Sequence, residues 1–210
     1  MKTTALLTFS ICLFTTLMSC EREDPDSLTI SVVEKGTNKP ISNALVEVFR
    51  NRINESPVGK DIYDKLYTDH QGEVYIDASK GGVPLRVEVY SPNSNYYDRK
   101  HSSGFGSADI TYPFRKNPVI ELIPFSWITI EVQWELFKGK YDYIQWQGPH
   151  YVDRTTFYFD QILEPIRWFG NQHNTLKMFG FKNGDIIDIW DNIIYCPGHD
   201  TIYHVIEPIQ

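Results

Sequence analysis

Few residues in this chain have the type and spacing to do chemistry. Cys20 follows an apolar run in Leu17-Met18-Ser19-Cys20, where its thiol is a nucleophile and an acylation point. His70 and Glu73 have the His-x-x-Glu spacing of a zinc-ligand pair. A catalytic zinc also needs a third protein ligand, an open position and a rigid fold with its own base and substrate clamp. Here the pair straddles a turn signal, Asp69-His70-Gln71-Gly72, so it reads as structural. His199 and His204 have no compact ligand cluster around them. Asp185, Asp188 and Asp191 lie three apart. On a strand Asp188 faces away from the other two, which breaks any carboxylate pair for acid–base work. Gly104-Phe105-Gly106 is followed by neither a helix pattern nor a Lys, and no Ser sits in Gly-x-Ser-x-Gly. The reading therefore assigns no catalytic residue, no metal ligand and no cofactor.

The aromatics offer binding rather than catalysis. Five Trp, thirteen Tyr and twelve Phe are many for 210 residues, and they crowd between Tyr141 and Phe169. Flat aromatics on a β-sandwich stack on sugar rings; the same residues also fill a small core well. Tyr158 and Trp168 are the candidates for an exposed glycan platform, because Tyr158 alternates against Phe157 and Phe159.

The segment before Cys20 explains the thiol. One side-chain charge, Lys2, precedes an apolar run from Ala5 to Met18 that is shorter than the roughly 20 residues of a bilayer-spanning helix. Basic start, short apolar core and small residue at the cut site make a secretion signal over residues 1–19. Leu17-Met18-Ser19-Cys20 resembles the lipobox of bacterial lipoproteins. The resemblance implies acyl chains on Cys20, two or more of which hold a protein firmly to a membrane. Residues 20–27 are acidic and Pro-interrupted, so they read as a tether. Acidic residues behind such a Cys resemble the export tag of surface-exposed lipoproteins in some Gram-negative groups; a solvated linker without an address is the alternative. The expected location is the bacterial envelope, lipid-anchored at the outer membrane, with the surface-facing and periplasm-facing leaflets both open.

Removing residues 1–19 leaves 19 basic and 27 acidic side chains, a net charge of -8. Nucleic-acid binding needs a basic footprint and is excluded as a class. Cys12 leaves with the signal and Cys20 is acylated, so Cys196 stands alone and reads as a small buried hydrophobe.

The elements that must position these residues are strands. Short alternating segments recur between Gly, Asn, Asp and Pro, and long helical periodicity is absent. The expected fold is all-β, with two consecutive β-sandwich domains over residues 28–124 and 125–210. Gly36 through Pro40-Ile41-Ser42-Asn43-Ala44-Leu45-Val46-Glu47-Val48, then Tyr67-Thr68-Asp69-His70-Gln71-Gly72-Glu73-Val74, resembles the carboxypeptidase regulatory-like family. That resemblance implies a transthyretin-like sandwich with no catalysis of its own. Gly72 supplies the positive φ such a turn needs, and Asp69 can bond its own backbone. In the second half, Ile128, Ile130, Val132 and Trp134 mark one strand face, and Asn183-Gly184 is a hairpin signal. An Ig-like or similar sandwich is expected there, joined stiffly because Pro124-Phe125-Ser126 is too short for a free linker. The functional expectation is a non-enzymatic, lipid-anchored structural or protein-interaction module of the envelope. The alternative is a glycan-binding lipoprotein that feeds an outer-membrane transporter.

Overall fold

The computed structural model describes residues 27–50, 62–77, 85–101, 105–110, 117–148 and 154–208. Cys20, the signal segment, Gly104 and most of the loop expected over residues 50–60 lie outside the described residues. All described elements are strands apart from one 3-10 turn at Trp134–Leu136, which agrees with the all-β expectation.

The first half contains β1 (Ser27–Glu34), β2 (Leu45–Arg50), β3 (Ile62–Tyr67), β4 (Glu73–Asp77), β5 (Leu85–Tyr90), β6 (Tyr96–Tyr97) and β7 (Ser107–Ile110). A long strand, β8 (Val119–Val132), leads out of it. β3-β2-β5-β7 form one antiparallel sheet. In the facing sheet β1 lies between β4, antiparallel, and β8, parallel. Strand alternation selects the inward side chains. Ile30 and Val32 of β1 meet Val46 and Val48 of β2 and Val87 and Val89 of β5 in one fully buried cluster. The turn between β3 and β4 follows the sequence logic in its local chemistry, but it closes no hairpin. β3 pairs with β2 and β4 crosses to β1 in the facing sheet, where the sequence reading pairs Glu73 to Asp77 back on the preceding strand. Asp69 Oδ1 accepts from the backbone N–H of Gln71 and of Glu73, both at 2.9 Å. Gly72 has φ +73°, and a Cβ there would meet the Val32 carbonyl at 2.6 Å. No L side chain fits that position without moving β1.

β8 runs 14 residues without a break, roughly 45 Å at about 3.3 Å per residue. The sequence reading places two strands here with a step at Pro124-Phe125-Ser126; the structure has one. Pro124 is tolerated because β8 changes partners around it. β1 pairs only as far as Leu122, and β12 begins at Phe125. Pro124 pairs with Tyr96 of β6, but the next N–H donated to that side comes from Phe125, to the Asn95 carbonyl. On the other side β1 has ended at Leu122 and β15 (Thr201–Ile206) begins only at Trp127, so proline's missing N–H interrupts no ladder bond there.

The second half contains β9 (Tyr143–Gln147), β10 (Arg154–Phe157), β11 (Gln161–Ile162), β12 (Ile166–Phe169), β13 (Gln172–Lys182), β14 (Asp185–Cys196) and β15 (Thr201–Ile206). β10-β9-β13-β14 make one antiparallel sheet. The other is built on β8, with β11 and β12 antiparallel to it and β15 parallel. Between the sheets lie Ile128 and Ile130 of β8, Trp168 of β12, Leu176 and Met178 of β13, and Cys196 of β14. The expected strand from Thr155 to Ile162 is broken at Tyr158-Phe159-Asp160, because β10 pairs in one sheet and β11 in the other. Asn183 and Gly184 have φ +53° and +87°, the paired positive values of a tight hairpin turn between β13 and β14. Among the described residues no helix is long and apolar enough to cross a membrane.

Candidate functional site

The structure separates the two proposed platform residues. Trp168 is 1% exposed and belongs to the second core, so it offers no surface to a sugar ring. Its alternation on β12 decides this: Arg167 points out and Trp168 points in. Tyr158 is 58% exposed at the bend after β10. Its ring lies 5.4 Å from Tyr143, which stacks on Phe181 at 4.5 Å and 13°. Tyr158 thus belongs to an aromatic group on the outer face of the β10-β9-β13-β14 sheet. Cys196 is buried, and burial pushes its thiol up, the opposite of activation. His70 Nε2 is hydrogen-bonded by the neighbouring Gln71 amide at 2.6 Å. Among the described residues no group of three His, Cys, Asp or Glu could hold a metal ion.

That outer face continues onto β14, which pairs only with β13 and so forms the sheet edge. β14 is apolar on both faces. Its inward residues complete the core: Ile194 and Cys196 are buried, and Trp190 stacks on Tyr141 at 5.8 Å. The outward residues are left largely open among the described residues, with His173 against the edge of Tyr195 at 5.2 Å. Ile189 is 55% exposed, Ile193 70% and Tyr195 51%. Register places Ile189 beside Phe179, Asp191 beside Lys177, and Ile193 beside Thr175. Asp188 faces the other way and is held by Tyr141, whose hydroxyl donates at 2.7 Å, and by Lys140 at 3.2 Å. The Tyr141 hydrogen bond, then the Lys140 charge, keeps the Asp188 carboxyl below its ordinary range. The bulge at Gly180/Phe181 corrects the expected alternation. It sets Asp185 opposite Lys182, on the parity of Asp188 opposite Gly180, and leaves Asp191 alone on the other face, so the three aspartates do not converge. The arrangement can bind by main-chain pairing and apolar contact.

A second constellation lies between the two cores. Glu34 is the fourth inward residue of β1, after Leu28, Ile30 and Val32, and is 5% exposed. One carboxylate oxygen accepts from Thr37 Oγ1 at 2.8 Å and Asn171 Nδ2 at 3.0 Å. The other accepts from Tyr96 Oη at 3.0 Å and His199 Nε2 at 2.8 Å. Burial opposes ionisation of Glu34, but the hydrogen bonds from His199, Thr37 and Tyr96 outweigh it and leave the carboxyl below its ordinary value. Asn171 also donates to the Lys35 carbonyl at 3.1 Å and accepts from Gly198 N–H at 2.7 Å. Glu34, Thr37 and Tyr96 come from the first half; Asn171 and His199 come from the second. The cluster joins the halves, and every group in it is engaged with another.

The sequence reading did not single out Glu34, Asn171 or the outward isoleucines. Glu34 was signalled by its parity with three buried aliphatics on β1. β14 resembled a buried strand because both its faces are apolar, and only the sheet order reveals it as an edge.

No family model matches this chain, and no curated protein matches it. Among solved structures it is similar to the Bacillus anthracis TIE protein, at 14% identity and TM-score 0.35. That alignment covers 87% of this chain and 33% of the other, so the chain spans about a third of its length. It is also similar to GBS52, the minor pilin of Streptococcus agalactiae, at 12% identity and TM-score 0.36, covering 86% and 94%. The shaft pilin SpaA of Lactobacillus rhamnosus GG follows at 8% identity and TM-score 0.35, covering 88% and 99%.

Proposed function

We propose that this chain is a non-enzymatic lipoprotein, acylated at Cys20, that serves the bacterial envelope as a structural or protein-interaction module. Residues 28–124 form a carboxypeptidase regulatory-like sandwich in this reading, a view supported by the turn at Asp69–Gly72. Residues 125–210 form the second sandwich and carry the binding surface. The lipobox-like Leu17-Met18-Ser19-Cys20 supports the anchor, and the acidic residues directly behind Cys20 support an outer-membrane, surface-facing location. The observation that carries the interaction role is the open, apolar edge strand β14. Edge strands recruit partners by adding a strand to the sheet. The test uses intact cells with a photo-crosslinking residue in place of Ile193 or, on the β4 edge of the first half, Tyr75. A recurrent envelope protein crosslinked from either position supports the role, and silence from both overturns it. Labelling with a palmitate analogue tests the anchor: Cys20→Ser abolishes label and membrane association.

A second reading, glycan capture for an outer-membrane transporter, is favoured by one observation. Tyr158, Tyr143 and Phe181 form a surface aromatic group, with Tyr158 58% exposed. A glycan array probed with the wild type and Tyr158→Ala tests it, and no Tyr158-dependent signal rejects it.

A further inference from the structure

We infer that the β14 edge takes up an extended, cationic strand of a partner protein, in which Lys or Arg stands among aliphatic residues on the same outward face. The inference rests on the interaction reading above and names the partner's chemistry.

Sheet edges invite pairing, and soluble proteins blunt them with shortness, Pro or Lys. Most of the other outer strands follow this rule, and β15, which does not, has half the length of β14. β4 has 5 residues, β7 has 4 and β10 has 4. β3 carries Lys65, ion-paired to Glu47 at 2.7 Å. β14 has 12 residues, no Pro and no cation. Among the described residues its main chain hydrogen-bonds only to β13. A strand added there would gain main-chain bonds along that length and would cover Ile189, Ile193 and Tyr195.

Charge selects the occupant. β14 bears Asp185, Asp188 and Asp191 and nothing basic. Lys140 neutralises Asp188. Lys177 stands across from Asp191 and Lys182 across from Asp185 on β13, with no ion pair in either case among the described contacts; Lys182 turns instead to Asp142 and the Gly139 carbonyl. A second copy of this chain, paired β14 on β14, would bring together Asp185 and Asp191 of both copies and add no strand-borne cation, and like charges across strands destabilise pairing. A basic strand relieves the same charges. The chain's excess of acid, -8 after removal of residues 1–19, favours such a partner at longer range as well.

The test uses the full mature chain in detergent and two fluorescent synthetic peptides, repeats of Val-Thr-Lys-Thr and of Val-Thr-Glu-Thr, each of which carries its aliphatic and charged residues on one strand face. At 150 mM salt the Lys peptide should bind saturably, at least tenfold more tightly than the Glu peptide. Ile193→Thr, which changes no charge, should weaken the Lys peptide severalfold, and Ile193→Lys should weaken it at least tenfold. Asp191→Lys should narrow or invert the preference, and Tyr75→Lys on β4 should change nothing. Equal binding of the two peptides overturns the charge argument. Binding indifferent to both Ile193 variants overturns the edge. If crosslinks in cells arise from Tyr75 but never from Ile193, the β14 inference fails while the broader interaction role stands.

Discussion

The junction and the β14 edge invert the same rule in opposite directions. At the junction polar groups are buried; at the edge apolar groups are exposed. The difference lies in partners. The Glu34 carboxylate is removed from water, but each oxygen accepts two hydrogen bonds, so its desolvation is offset within the chain. Ile189, Ile193 and Tyr195 are more than half exposed, and among the described residues no further strand lies beside them. A buried polar group that is fully bonded completes a structure. An exposed apolar row on an open strand leaves one incomplete, and marks where another molecule fits.

The largest expected effect comes from breaking the junction. Glu34→Ala strands four donors, two of them from the second half, and should cost about 2–4 kcal/mol in urea unfolding. The pH dependence has a defined sign. Folding lowers the Glu34 carboxyl below its ordinary 4.5, so its stabilisation is fully present above that value and is lost as pH falls through the lower folded value. Melting temperatures from pH 7 to pH 3 should fall for the wild type below about pH 4.5, with a shallower fall for Glu34→Gln. Two adjacent residues of β14 sharpen the contrast. Ile194→Ala opens the second core, where Ile194 is 8% exposed, and should cost about 2–4 kcal/mol. Ile193→Ala, one residue away and 70% exposed, should change stability by less than about 0.5 kcal/mol while weakening strand binding. Of intermediate size is Gly36→Ala. Gly36 has φ +87°, and a Cβ there would lie 2.8 Å from Asn171 Cβ. Strain and clash together should cost about 1–3 kcal/mol. Gly184→Ala, also at φ +87° but facing open space, should cost about 1 kcal/mol from backbone strain alone.

Much of the strand content was legible in the sequence because alternation and turn chemistry are local. Glu73 to Asp77 and Thr201 to Ile206 form strands with the bounds read from the sequence. The Asp69–Gly72 turn and the Asn183-Gly184 hairpin rest on side-chain and φ requirements that a few residues carry alone. Strand extents were less legible. β8 runs through Pro124 and β14 runs on past Trp190, because partners across the sheet sustain a strand where local signals weaken. Of the candidate surface residues, Tyr158 is exposed and Trp168 is not. Alternation does not say which face of β12 meets the facing sheet; that depends on β12 lying against β8.

By itself the sequence determined the strand class, the tight turns, the excess of acid and the lipobox-like step at Cys20, since each depends on neighbours a few residues apart. The tertiary structure decided which strands lie at the edge and which buried acid joins the halves. Glu34 and His199 are 165 residues apart in the chain and 2.8 Å apart in space. An edge is likewise a property of sheet order. β14 has the composition of a central strand, and only the absence of a further strand beside it among the described residues turns its apolar outer face into a surface.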